Sequence, residues 1–467
     1  MHVRRTATST RLRSHPRFAS RTAVAVLLTT VALLLGAVVC SSASAALMNL
    51  VAWYPYNATA NAETSVDMAT APDGKYVLVG NQNNDGVHTD IFVAKFSANL
   101  DKLWSHPWNS AVNGVDAAAA VAVDRFGNVL VTGTSYAKNG FGDIITLKYS
   151  SGGRLLWPRR FNGTGNATDL GYDVAADSAG NVYVTGMTGS KTNGPDLIVL
   201  KYSPSGALLW KAMYSGPLQD DGVALAVDGA DNAYVVGDAH SSKNGYDALT
   251  IKFDRNGVRK WAHRLNGPLN ANEFGRAIGV NSKGVFVAAS SQGSGTLVDV
   301  LVARYTVAGA RLWTRRYDSP AHLNDIPNAM ALDAAGNIYV AGTSAAVSPI
   351  IRALGLKWDA TGHLKWAVLE WNKSQTRPEE YYAVVPSGTG GAYFAGWMQW
   401  AATGYDAWID RYSALGAFES GLGKDGVAGG AADAIKCLVR RGGYVWAGGY
   451  QELANPDYEA VFYKISP

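Results

Sequence analysis

A short run of apolar β-forming residues that ends in a small residue recurs eight times along the chain. The runs read KYVLVG, NVLVTG, NVYVTG, NAYVVG, GVFVAA, NIYVAG, GAYFAG and GYVWAG, and they begin at Lys75, Asn128, Asn181, Asn232, Gly284, Asn337, Gly391 and Gly443. Successive runs begin 51 to 54 residues apart. A constant period of this size is typical of repeat architectures, and eight copies account for nearly all of residues 46–467.

Each copy predicts four short strands. The first is rich in alanine and valine, and the second is the recurring run, entered through a tight turn with glycine or asparagine. The third alternates polar and apolar residues, as in DIITLKY, and a second tight turn leads to a fourth strand with a tryptophan. This position is occupied by Trp104, Trp157, Trp210, Trp261, Trp313, Trp366 and finally Phe418. Four-stranded units of this length, arranged radially, are the blades of a β-propeller.

The two ends of the repeat region complement each other. Copy eight has no fourth strand after its third, YEAVFYKI, whereas the segment Asn49 to Trp53 resembles a fourth strand and precedes copy one. Pairing the two would close the ring and remove the exposed strand edges of an open array. We therefore predict an all-β fold with one eight-bladed propeller, closed by the N-terminal strand. Seven blades with a detached unit is the structural alternative.

The repeat frame resembles a known family. An acidic start, Ala-Val-Ala-Val-Asp, Gly-Asn-Val-Tyr-Val-Thr-Gly, an Asp-led third strand ending in Lys-Tyr, and Ser-x-x-Gly-x-Leu-Trp are similar to the SBBP-type bacterial β-propeller repeat. The match is closest in copies two and three. Copies six and eight depart from it, with Arg352 and Glu459 in place of the third-strand aspartate. The resemblance implies a secreted or surface-exposed propeller and does not imply one activity.

The first 45 residues have a different composition. Six arginines up to Arg21 precede an apolar run from Ala23 to Val39, and Ala43-Ser44-Ala45 follows as a small-residue cleavage site. These features predict a signal peptide over 1–45 and a propeller domain over 46–467, hence a secreted, periplasmic or cell-surface protein. A retained membrane anchor and a lipoprotein processed at Cys40 are the alternatives.

Removal of the signal changes the charge of the protein. The formal net charge of the whole chain is +4, and without the six arginines it becomes about −2. The mature chain therefore lacks the basic footprint of a nucleic-acid-binding protein. It also keeps a single cysteine, Cys437, so it forms no internal disulfide.

Two series of acidic residues recur with the repeat. One precedes the first strand of each copy: Glu63, Asp116, Asp169, Asp220, Glu273, Asp325 and Glu379, with Asp433 two residues out of register. These carboxylates could form a cation-binding ring, or each could cap its own interblade turn, which we favour because the series follows the repeat. The other series precedes a Lys or Arg by five residues: Asp90, Asp143, Asp196, Asp247, Asp299 and Asp406. About 16 Å of strand separates the two charges, so we expect separate structural contacts for each.

Signatures of catalysis and of cofactor binding are weak. The sequence contains no HExxH, GxSxG or phosphate-binding loop. Asn81, Asn83 and Asp85 imitate the start of a calcium loop, but Phe92 stands where an EF-hand needs glutamate, which favours a polar hairpin turn and leaves calcium as a weak alternative. Residues 359–366 superficially resemble the tryptophan-docking stretch of quinoprotein dehydrogenases, but the same turn recurs in most copies. We therefore predict no cofactor.

Copy seven and the segment before it carry aromatic and charged residues beyond the repeat frame. Exposed aromatic faces beside hydrogen-bonding charges suit stacking on sugar rings or gripping a peptide. The alternative is that these rings fill gaps in the packing. The candidate ligand-binding residues are Trp371, Arg377, Glu379, Glu380, Tyr381, Tyr382, Trp397 and Trp400, with Glu379 also a weak catalytic candidate.

These observations predict an exported, monomeric, non-enzymatic propeller that binds a glycan or a surface or secreted protein through its variable loop face. A polysaccharide lyase or hydrolase on the same scaffold is one alternative, and a purely structural envelope component is the other.

Overall fold

The computed structural model describes residues 48–56, 63–83, 88–190, 194–241, 245–345, 351–369, 378–400, 404–424, 431–452 and 458–466. The predicted signal peptide lies outside these ranges. The described chain contains 33 β-strands and no α-helix. Among the described residues, no helix is long and apolar enough to cross a membrane.

The strands form eight antiparallel sheets, which we call blades 1 to 8. Blades 1 to 4 comprise β2 (Glu63–Thr70), β3 (Tyr76–Asn83), β4 (Thr89–Phe96) and β5 (Lys102–Trp108); β6 (Asp116–Val123), β7 (Val129–Tyr136), β8 (Gly142–Tyr149) and β9 (Leu155–Phe161); β10 (Leu170–Ala176), β11 (Val182–Thr188), β12 (Asp196–Tyr202) and β13 (Leu208–Tyr214); and β14 (Asp220–Val227), β15 (Ala233–Ser241), β16 (Gly245–Phe253) and β17 (Arg259–Leu265).

Blades 5 to 8 continue the series. They comprise β18 (Glu273–Asn281), β19 (Gly284–Gln292), β20 (Val298–Tyr305) and β21 (Arg311–Tyr317); β22 (Asp325–Leu332), β23 (Ile338–Ala345), β24 (Ile351–Trp358) and β25 (Leu364–Leu369); β26 (Glu379–Pro386), β27 (Ala392–Trp400), β28 (Gly404–Tyr412) and β29 (Phe418–Lys424), with the short β30 (Ala431–Ala432) pairing with β28; and β31 (Ala434–Arg441), β32 (Tyr444–Glu452), β33 (Tyr458–Ser466) and β1 (Asn49–Tyr56).

The ring closes as the sequence predicts. Strand β1 pairs antiparallel with β33 as the fourth strand of blade 8, with Asn49 opposite Ser466. The first strands of neighbouring blades pack against each other around the ring, including β31 of blade 8 against β2 of blade 1. Met68 and Tyr76 of blade 1 share one apolar core with Trp446 and Phe462 of blade 8. The eight-bladed all-β propeller is confirmed, and the arrangement with a detached unit is excluded.

Every first strand contains a β-bulge at the same place. The bulged residues are Val66, Ala119, Tyr172, Val223, Arg276, Asn328, Tyr382 and Lys436. The bulge pushes a carbonyl group toward the second strand, and a Cβ added to Gly133 would lie 2.0 Å from the carbonyl oxygen of Ala117. This close approach explains why seven of the eight recurring apolar runs end in glycine.

In blades 1 to 6 the tryptophan of the fourth strand connects neighbouring blades. Its indole Nε1 donates a hydrogen bond to a carbonyl in the second tight turn of the next blade, as from Trp157 to Pro204 at 3.0 Å. The same bond links Trp104 to Ser151, Trp210 to Arg255, Trp261 to Val307, Trp313 to Ala360 and Trp366 to Ala414. In blade 8 the third and fourth strands come from opposite ends of the chain, so no tight turn joins them. Phe418 holds the equivalent position in blade 7, where the next blade offers no such turn to a donor.

The lysines and aspartates of the second charged series make contacts at opposite ends of the third strand. Lys148 forms a buried ion pair with Asp124 in the first tight turn of its own blade, at 3.1 Å. At the loop end of the same strand, Asp143 accepts from Arg160 at 2.5 Å. The acid and the base anchor opposite ends of the strand, as predicted.

Candidate functional site

The first acidic series is buried where the interblade loops enter the first strands. Asp116, Asp169 and Asp325 accept hydrogen bonds from the backbone N–H groups of Ser110, Gly163 and Ser319, at 2.6 to 2.7 Å. Each bond spans six residues of the preceding connection. The capping interpretation is therefore confirmed for these three positions.

The eighth member of this series, Asp433, is in register with the others. It lies three residues before the bulged residue Lys436, as Asp325 lies three before Asn328. Blade 8 has a short first hairpin in which Arg441 pairs with Tyr444, like that of blade 5, where Asn281 pairs with Gly284. The short hairpin displaces Asp433 only when positions are counted from the second strand. The expected two-residue offset of Asp433 is therefore wrong, because Asp433 lies at the same distance from the bulge as the other acids.

The axis of the ring contains a cavity with a volume of about 790 Å³. Its wall is formed mainly by first-strand residues of blades 1 to 5 that lie one or three positions after the buried acid. In blades 1 to 4 the second-strand residue opposite the first of these positions also lines the cavity. On blades 1 and 2 this wall is made of small or uncharged side chains, Thr64, Val66, Asn81, Ala117, Ala119 and Thr134. These positions leave open space on one side of the axis.

Blades 4 and 5 place charges on the opposite part of the wall. Asp221 lies directly across the strand pair from Asp238, so two carboxylates share one cross-strand site. Arg276 is the bulged residue of the next blade and is only 8% exposed. Asp238 accepts a hydrogen bond from the backbone N–H of Gly275 at 2.7 Å. Oδ1 of Asp221 and Nε of Arg276 have no hydrogen-bond partner within the described ranges.

Burial dominates the titration of this group. It raises the pKa of Asp221 to about 6, although the backbone N–H of Asp238 and the Arg276 guanidinium act in the opposite direction. Burial, followed by the charge of Asp221, raises the pKa of Asp238 well above its usual range. Two like charges directly opposite each other in a ladder are destabilising. The pair therefore favours a form that retains one proton near pH 6.

Aromatic rings surround the same group. Tyr172, Tyr246 and Phe274 all line the cavity. The rings of Tyr246 and Phe274 have centroids 5.3 Å apart, and the Tyr246 hydroxyl donates to Gln219 at 3.3 Å. Burial and the charges of Asp221 and Asp238 raise the pKa of Tyr246, which agrees with its position next to the carboxylates. We call Tyr172, Asp221, Asp238, Tyr246, Phe274 and Arg276 the channel pocket.

The copy-seven residues form a second group at equivalent positions of blades 6 to 8. Trp397 Nε1 donates to Glu380 at 3.3 Å and to the Tyr382 hydroxyl at 3.0 Å. Asn328 donates to Glu380 at 2.8 Å, and the Lys436 ammonium lies 2.9 Å from the ring centroid of Tyr382. We call Glu380, Tyr382, Trp397, Asn328 and Lys436 the blade 7 cluster. Sequence reasoning had singled out its first three members.

Other predicted site residues lie elsewhere. Tyr381 is buried in the blade core, and its hydroxyl donates to Asp410, so its assignment to a binding surface is wrong. Glu379 is the buried acid of blade 7 and occupies the same place as its counterparts in every other blade, which gives it no special status as a catalyst. Trp371 and Arg377 lie outside the described residues. Trp400 is the last residue of β27.

The three residues of the calcium candidate also have different placements. Oδ1 of Asn81 accepts a hydrogen bond from the backbone N–H of Ala118 in the next blade, at 2.8 Å. This bond is equivalent to the one between Asp238 and Gly275. Asn83 ends strand β3, and Asp85 lies outside the described residues.

Sequence reasoning missed the channel pocket, although a signal was available. Once the copies are aligned on the bulge, the position of Asp221 holds Thr, Ala, Leu, Phe, Ile, Glu or Ala in the other blades. No other blade has an acidic residue at the position of Asp238. A search for departures from the repeat frame would have found both residues.

Comparison with known proteins places the repeat in a family. Residues 157–195 match SBBP, a beta-propeller repeat. The regulatory protein FlaEY of Caulobacter vibrioides is 30% identical over 183 residues, which cover 34% of this chain and 19% of FlaEY. The chain therefore spans about a fifth of the length of that relative.

Several solved structures are similar to the chain at low sequence identity. A europium-containing methanol dehydrogenase is 11% identical, with 90% of this chain and 93% of that chain covered and a TM-score of 0.49. A polysaccharide lyase, described as an ulvan lyase, is 10% identical, with 82% and 89% covered and a TM-score of 0.43. Residues 157–195 are therefore similar to an SBBP β-propeller repeat, and the eight four-stranded blades show that the chain is a β-propeller.

Proposed function

We propose that this propeller is an exported glycan-binding protein that takes its ligand into the loop-face mouth of the central channel. The observation that carries the proposal is the channel pocket. There an unpartnered acceptor, Asp221 Oδ1, and an unpartnered donor, Arg276 Nε, line one cavity together with aromatic rings.

The charges of the pocket favour a neutral, hydroxyl-rich ligand. An anion would meet Asp221 and Asp238, and a cation would meet Arg276. A sugar hydroxyl can donate to a carboxylate while a neighbouring oxygen accepts from a guanidinium, so a vicinal diol satisfies both unpartnered atoms. Tyr246 and Phe274 supply apolar faces of the kind that stack on sugar rings.

The blade 7 cluster extends the same surface. Trp397 is half-buried, and its ring contacts Tyr405 edge-on with centroids 4.6 Å apart. Because Glu380 and Tyr382 hold the indole N–H, the orientation of the ring is set before any ligand binds. We infer that a glycan chain long enough to cross the channel from blades 4 and 5 to blades 6 to 8 would contact both groups.

The test is a glycan-array screen on residues 46–467, followed by calorimetric titration of the best ligand. Tyr246→Ala and Trp397→Ala are expected to weaken binding at least tenfold, about 1.4 kcal/mol or more, while keeping the melting temperature of the parent. Phe126→Ala removes an exposed ring from the opposite face and serves as the matched control. Equal affinity of all four proteins, or the absence of any bound glycan, would refute the proposal and favour a purely structural role.

A polysaccharide-cleaving enzyme is the second candidate, and the Asp221–Asp238 pair is the observation that favours it. A carboxyl group with a pKa near 6 beside a second carboxylate is suited to general acid–base work. Release of new chain ends from a polysaccharide panel, abolished by Asp221→Asn, would establish this activity. Binding without release would leave the glycan-binding function alone.

A further inference from the structure

We propose that the loop-face junction between blades 5 and 6 binds a divalent cation of the calcium type through Asp299, Asp318 and Asp325. The three residues come from different parts of the chain: the third strand of blade 5, the interblade connection and the first residue of blade 6. One carboxylate oxygen of each lies within 4.8 Å of an oxygen of the other two. This inference is independent of the glycan site.

Each carboxylate has one occupied oxygen and one unpartnered oxygen. Asp299 Oδ2 accepts a hydrogen bond from Arg316 at 2.7 Å, and Asp325 Oδ2 accepts one from the backbone N–H of Ser319 at 2.6 Å. Asp318 Oδ2 pairs with His322 at 2.6 Å. By hydrogen-bond geometry the Oδ1 atoms of all three have no partner in the described part of the chain, although the Ser344 and Ser319 hydroxyls lie near the Asp325 carboxyl group and act to lower its pKa. Asp299 and Asp325 are almost fully buried, at 1% and 0% exposure, so water does not compensate them. Buried carboxylate oxygens without partners are costly unless a cation binds them.

The other blades show which residue makes this junction different. Asp318 stands where blades 1, 2 and 4 have Asn109, Asn162 and Asn266, whose side-chain amides bond to an asparagine four residues later. Blade 5 replaces that pair by Asp318 and His322. The ring acid and the third-strand aspartate are present at the other junctions as well. Asp318 therefore adds a third carboxylate at this junction alone among those four blades.

The chemistry of the donors selects the cation. Calcium takes six to eight oxygen ligands at roughly 2.3–2.6 Å, so one ion can bridge oxygens up to about 4.8 Å apart. Magnesium demands near-ideal octahedral geometry at roughly 2.0–2.1 Å, which carboxylates held by other partners satisfy less readily than the flexible calcium shell. Asp318 is half-buried, so waters can complete the shell on its side. Arg316 neutralises part of the charge and leaves a net of about −2 on the four groups.

The experiment uses residues 46–467, freed of metal with chelator and titrated with Ca²⁺ by calorimetry and with Tb³⁺ by luminescence. One ion per chain is expected, and Ca²⁺ at about a hundredfold excess over Kd should raise the melting temperature by about 3 °C. Asp318→Asn, which installs the residue of the sibling blades, is expected to weaken Ca²⁺ binding at least tenfold without changing the melting temperature in chelator. Asp254→Asn removes the same charge on the opposite face and should leave affinity unchanged.

Two results would overturn the proposal. One is wild-type protein that binds no Ca²⁺ with a stoichiometry near one. The other is Asp318→Asn protein that binds as tightly as the wild type. His322→Asn keeps all three carboxylates and is expected to retain Ca²⁺ affinity, which supports their assignment as the ligands.

Discussion

Replacing Asp221 by Asn should stabilise the propeller at neutral pH and leave its stability unchanged below about pH 4. In the folded protein burial raises the pKa of Asp221 to about 6 from 3.8. The folded state therefore binds the proton more tightly than the unfolded chain. Stability is highest below pH 3.8 and falls as the pH rises toward 6, because ionisation of the buried group is then unfavourable.

The size of the effect follows from the shift. A difference of about 2 pKa units corresponds to about 3 kcal/mol at pH 7. Asn has nearly the same shape and no charge, so Asp221→Asn should recover that amount above about pH 6.5. With an unfolding entropy of roughly 2.1 cal/mol/K per residue over about 420 residues, this gain raises the melting temperature by about 3 °C.

The assay is urea denaturation of both proteins at several pH values between 4 and 8. The difference in unfolding free energy should grow from about zero at pH 4 to a plateau above pH 6.5. Asp359→Asn is the contrasting control, since hydrogen bonds from Thr361 and His363 outweigh the effect of burial and lower the pKa of Asp359 to about 2. That variant should lose stability above pH 4. A pH-independent gain for Asp221→Asn, or a loss at pH 7, would refute the assignment of a destabilised carboxylate pair.

Three further changes test the architecture. Trp157→Phe removes the indole donor to Pro204 and should lower the unfolding free energy by about 1 kcal/mol in calorimetric melts, whereas Phe418→Trp should give no gain. Asp124→Ala leaves the buried Lys148 ammonium without its partner and should cost about 3–5 kcal/mol, read from urea midpoints; a cost under 1 kcal/mol would show that water reaches the lysine. Deletion of residues 48–56 exposes the edge of β33 and should produce oligomers in size-exclusion chromatography, where a stable monomer would contradict closure by β1.

The fold was predictable because the repeat supplies eight independent measurements of the same pattern. One apolar run of six residues is ambiguous, but eight runs at a constant period exclude most alternatives. The closing strand was predictable for the same reason, since the segment at Asn49 matched the one element that copy eight lacks. Asp433 shows the limit of this approach, because a shorter hairpin changed the count along the chain without moving the side chain.

The sequence predicted site residues only where the composition of one copy differs clearly from that of the other copies. Trp397 and Glu380 were noticed because aromatic and charged residues accumulate in copy seven, and the structure brings them within hydrogen-bond distance. Tyr381 and Tyr382 are adjacent and look alike in sequence, yet one is buried in the blade and the other is bulged toward the axis. The period of a strand assigns faces, but a bulge shifts the assignment for every residue after it.

The sequence by itself determined the number of blades, the order of the strands, the ring closure and the capping role of Asp116, Asp169 and Asp325, because these features repeat and local patterns encode them. Only the tertiary structure decided which departures from the repeat meet in space. Asp221 and Asp238 are 17 positions apart, and Arg276 follows 38 positions later, yet all three line one cavity. The physical reason is that the ring brings equivalent positions of successive blades to a common axis, where a residue's neighbours are set by its place in the blade and not by its distance along the chain.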